Sequence, residues 1–118
     1  SLKNKRPKAK VVVVSSQENA IDDSYYLLPD EIKARVDGEV ELIASIDCKE
    51  DPVMKYIPFG STGYQVVCDC TVMDRASRQF IVMKELKGGL PPSIKRYPGD
   101  STGPRPNQAV ADYIAALY

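Results

Sequence analysis

Val40-Glu41-Leu42-Ile43-Ala44-Ser45-Ile46-Asp47 decides the reading of this chain. Val40, Leu42, Ala44 and Ile46 point one way. Glu39, Glu41, Ser45 and Asp47 point the other, with Ile43 the exception. Successive side chains of a strand face opposite sides of a sheet, so this period of two marks a half-buried antiparallel strand. Residues 64–73 repeat the pattern, with Tyr64, Val66, Cys68, Cys70 and Val72 sharing one face. A polar turn at residues 74–78 follows, with Asp74 placed to start a type I turn. The return strand, residues 79–87, puts Phe80, Val82 and Leu86 on one face and Ile81 and Met83 on the other.

Toward the N-terminus, residues 9–15 carry a β-branched run, Val11 to Val14, that reads as a strand buried on both faces. Residues 17–24 are polar and read as a loop, and residues 25–28 as a short apolar strand fragment. Pro29 opens an expected short helix over residues 30–36, with Asp30 and Glu31 at its positive end. Gly38 is expected to cap it in a left-handed conformation. Residues 49–63 hold two prolines and two glycines and read as a long connection. Gly88-Gly89 and Pro91-Pro92 stop the last strand, and the stretch to Pro106 reads as irregular. Asn107 is a good N-cap for a closing helix whose stripe is Val110, Tyr113, Ile114 and Leu117. The expected fold is α+β. It has an antiparallel sheet of about four strands, a short helix after Pro29, and a C-terminal helix packed on one face.

The 118 residues suffice for one domain, assigned to residues 9–118 behind a basic arm at 1–8. The formal net charge is zero, but five of the 16 basic residues fall in the first ten positions, leaving 11 against 16 acidic ones in the body. The arm has no aromatic residue for base stacking, which argues against nucleic acid as a partner. No apolar run approaches the ~20 residues of a membrane span. The first residue is Ser, so the sequence reads as a processed product or a piece of something longer. The missing signal peptide therefore leaves the compartment open. The reading leans to the cytoplasm, with an extracytoplasmic, disulfide-stapled domain as its rival.

Several stretches together carry a resemblance: Leu28-Pro29-Asp30-Glu31-Ile32-Lys33-Ala34, Gly38-Glu39-Val40, Thr71-Val72-Met73-Asp74, Gly88-Gly89-Leu90-Pro91-Pro92, and Gly103-Pro104-Arg105-Pro106 before the last helix. Over residues 25–118 the chain resembles an uncharacterised bacterial module carried by larger multidomain proteins. That resemblance implies an accessory domain and transfers no catalytic residues.

Histidine is absent, which removes Ser-His-Asp and Cys-His catalysis and the commonest metal ligand. No phosphate-binding glycine fingerprint stands here. Three thiols, Cys48, Cys68 and Cys70, are too few for a four-ligand metal site. The bland reading packs all three reduced in the core. The other joins Cys48 to Cys68 or Cys70, once strands 40–48 and 64–73 lie side by side. No catalytic residue, cofactor or metal site is assigned.

Ile43, Val67, Met73, Ile81 and Met83 all fall on the sheet face turned away from the expected core. Scattered exposed apolar residues need no explanation, but a cluster does: either the helix expected near Ile32 or the strand at Val11 covers it, or it is a partner surface. The expectation is a non-catalytic protein-interaction or accessory module of a larger bacterial protein or assembly. It would bind another protein or domain, or a second copy, through that face or an open sheet edge. Tyr56, Phe59 and Tyr97 in neighbouring loops suit the same role. The alternative is a small ligand-binding or enzymatic domain using Asp47 and Asp69 beside the 49–63 loop.

Overall fold

The computed structural model describes residues 9–118; the basic arm at 1–8 lies outside the described residues. The three alternating stretches form β3 (Val40–Lys55), β4 (Thr62–Asp74) and β5 (Phe80–Lys87), paired antiparallel in sequence order. The turn between β4 and β5 forms as Asp74 directs it: its carboxylate accepts from the Ser77 N–H at 3.0 Å and hydroxyl at 2.6 Å.

The sheet is not the expected four-stranded antiparallel one. Among the described residues it has six strands, mixed in direction and curled into a half-barrel, and 44% of those residues are strand. β1 (Lys10–Ser15) lies parallel to β3, with Val12 opposite Ile43 and Val14 opposite Ser45. A parallel neighbour needs a long crossover, and residues 16–39 supply it. β2 (Ala20–Ile21) folds back on β1 from within the expected loop. β6 (Ser101–Thr102) adds parallel to β4 from within the expected irregular stretch. The valine run is not buried evenly either. Val11 and Val13 are fully buried, whereas Val12 and Val14 are half-buried.

The helix expected after Pro29 does not form. Asp30–Ile32 is a single 3-10 turn, and the chain then extends so that the Ala34 N–H donates to the Val11 carbonyl at 3.0 Å. Ile32 and Ala34 are buried two residues apart, the spacing of an extended segment rather than of a helix. Gly38 sits in another 3-10 turn, Asp37–Glu39, that leads into β3. Asp23–Leu27, expected in part as strand, is also 3-10.

The 49–63 connection is a correction of another kind. β3 and β4 run on through it as the two sides of one hairpin, and only the residues near 56–61 turn. Pro52 is accommodated where the register shifts between Pro52 and Met54, because a bulge relieves the ladder of a missing donor.

The helix α1 (Asn107–Ala116) closes the chain. Val110, Ala111 and Ile114 are buried in the core formed with Val11, Val13, Leu42, Ala44, Ile46, Val66, Cys70 and Val72. Asn107 does not cap it; Pro106 is the cap residue, and the Asn107 side chain accepts from Arg105 instead.

Candidate functional site

The register divides the sheet into two faces. One carries the core and α1. The other is built in rows across β1, β3, β4 and β5. The first row is Val12, Ile43, Met73 and Phe80. The second is Val14, Ser45, Thr71 and Met83. The third is Asp47, Asp69 and Glu85, and the fourth Lys49, Val67 and Lys87. Side chains opposite one another in a sheet are about 5 Å apart at Cβ, so each row is a contact set.

Of the five residues expected on an interaction face, the register places Ile43, Met73 and Met83 at the apolar end of this surface. Ile43 and Met73 are half-buried neighbours, while Met83 is 74% exposed. Ile81 is 38% exposed and is the extra residue where the register slips between Val72 and Met73. Val67 stands on the expected face too, but is only 3% exposed. Lys49 and Lys87 flank it in register, with long methylene stems suited to cover it.

Phe80 was missed. Strict alternation places it with Val82 on the core face, but the bulge at Ile81 turns it over, opposite Met73 and 73% exposed. A single inserted residue leaves no mark in composition. Ile21, across from Val14, extends the second row to the far edge.

The acids Asp47 and Asp69 do come together, and Glu85 joins them. Like charges directly opposed in a sheet cost stability unless solvated. Asp47 and Asp69 border an open depression with Ser45, Thr71, Phe80 and Met83. The 49–63 segment expected beside them is instead the far end of the hairpin. Among the described residues no cluster of three metal-ligating side chains occurs.

On the core face, Cys48 and Cys68 stand directly opposite and are joined by a disulfide, which replaces the reading of three reduced thiols. Cys70 remains a buried thiol. Burial, and then the charge of Asp22, push it up to about 12. Arg105 donates to the Asp22 carboxylate at 3.0 Å and lies 3.1 Å from the Cys48 sulfur. Burial alone would raise the Asp22 carboxyl, but hydrogen bonds from Ser24 and Arg105, together with the Arg105 charge, hold it below the usual carboxylate range. These groups are engaged with one another and read as a structural junction tying the 22–24 turn, β3 and the approach to α1.

No family model, no curated protein and no solved structure matches the chain.

Proposed function

We propose that this chain is a non-catalytic interaction module that binds another protein through the outer face of its sheet. The observation that carries the reading is the pair Phe80 and Met83, 73% and 74% exposed, beside half-buried Ile43, Met73 and Val12. Large apolar side chains gathered at one end of a sheet face, with a charged row beside them, have the make-up of an interface centre and its rim. The resemblance to an accessory module points the same way.

The test uses the folded domain as bait in lysate of the organism that carries it, beside the variants Phe80→Asp and Met83→Asp. The expected result is a partner retained by the parent and lost by both variants, with unfolding temperatures within a few degrees of the parent. Equal capture by parent and variants, or none by the folded parent, would sink the proposal. The alternative, a small-ligand site at Asp47 and Asp69, has less support, because that row is open and the 49–63 segment stands away from it.

A further inference from the structure

The β3–β4 hairpin runs well past the core. From Cys48 to Lys55 the strand continues about 23 Å at strand rise, and the molecule measures 54 × 25 × 23 Å. The hairpin end is a built structure. The Tyr56 N–H donates to the Ser61 carbonyl and the Gly60 N–H to the Tyr56 carbonyl, both at 2.8 Å, with Gly60 left-handed at φ 73°. A strap, residues 90–100, is bound to it. The hydroxyl of buried Tyr56 donates to the Pro92 carbonyl at 2.7 Å. The Thr62 N–H donates to the Asp100 carboxylate at 2.8 Å. Gly63 packs where an added Cβ would strike Met54, Tyr56 and Pro91.

This anchored end holds the most exposed large apolar side chain of the described chain, Ile57 at 91%, with Ile94 at 82%, Tyr97 at 76% and Leu90 at 65%. Its charge is also set apart. Residues 53–62 and 90–100 carry Lys55, Lys95 and Arg96 against Asp100 alone. Outside these stretches and the first ten residues, eight basic residues face 15 acidic ones.

We infer that this hairpin end docks on an anionic lipid surface. Aliphatic tips enter the boundary between headgroups and acyl chains, tyrosine suits the headgroup level, and lysine and arginine meet the anionic headgroups. The acidic remainder of residues 11–118 is repelled by the same surface, which disfavours docking through the rest of the body. A recessed protein pocket would need the apolar groups but gives no reason for the excess of cations at the tip of an otherwise acidic body over residues 11–118. This surface is separate from the outer sheet face, and the inference does not rest on the protein-partner proposal.

The test is flotation with phosphatidylcholine vesicles, with and without about 30 mol% phosphatidylglycerol, at low and high salt. The expected result is several-fold more bound protein on the anionic vesicles, weakened by salt. Ile57→Asp and Ile94→Asp should each cut binding about tenfold while circular dichroism is unchanged, and Arg96→Glu should reduce it on anionic vesicles. The chain has no tryptophan, so Phe59→Trp gives a single reporter whose emission should shift to the blue on the vesicles. No binding to either vesicle, binding indifferent to Ile57→Asp and Ile94→Asp, or capture of a protein by the tip without vesicle binding would each overturn the inference.

Discussion

Asp22 is 2% exposed and keeps its charge through the Ser24 hydroxyl and N–H and the Arg105 guanidinium. Its carboxyl titrates lower folded than unfolded. The stability it contributes is therefore whole above the ordinary carboxylate range, near pH 4, and is lost as pH falls through the lower folded value. Asp22→Asn should cost about 1–3 kcal/mol at pH 7 and flatten the acid limb of the stability curve, read by urea denaturation from pH 7 to pH 3. Arg105→Ala leaves the buried carboxylate unpaired and should cost at least as much. Cys70 fits the same scale: buried and pushed up to about 12, its thiol should resist labelling until the chain unfolds. Protein kept from reductant and then denatured should titrate as one free thiol, not three.

The hairpin of β3 and β4 is the element that organises the molecule. The Cys48–Cys68 bridge ties its two strands across 20 residues of sequence, so replacing both cysteines by alanine should lower stability by about 3 kcal/mol in denaturant titration. The strap meets the sheet through glycines without room for a side chain: a Cβ on Gly103 would run into the Gly89 carbonyl oxygen. Gly103→Ala should loosen this junction and raise proteolysis within residues 90–100 while the core at Val72 and Ile114 stays folded. The pairing of β4 with β5 and the Asp74 turn were legible, because alternation and turn chemistry are local properties of the chain. The helix after Pro29 was misread because helix-start chemistry at Pro29-Asp30-Glu31 is just as compatible with one 3-10 turn. What overrides it is the bond from Ala34 to Val11, 23 positions away.

As a whole, the molecule exposes apolar side chains in two places of different charge: an apolar and acidic sheet face, and an apolar and basic hairpin end. Phe80 and Met83 belong to the first, and Ile57 and Ile94 to the second. Sites without shared contacts act additively. Met83→Asp should therefore abolish protein capture and leave vesicle flotation within about twofold of the parent, and Ile57→Asp should do the reverse. Loss of both activities from either single change would mean one shared surface.

The sequence by itself determined the strand at residues 40–47, the strands on either side of Asp74, the closing helix with Val110 and Ile114 inward, and the outward Ile43, Met73 and Met83. All follow from side-chain period and turn residues, which act over a few bonds. Tertiary structure alone decided the parallel entry of β1, the extension of β3 through Pro52, the choice of Cys68 over Cys70, the reversal of Phe80, and the strap that makes the hairpin end a surface. Each depends on which distant segment comes alongside. A run such as Val11 to Val14 buries equally well in either direction, so its neighbour is set by the rest of the core and not by the run.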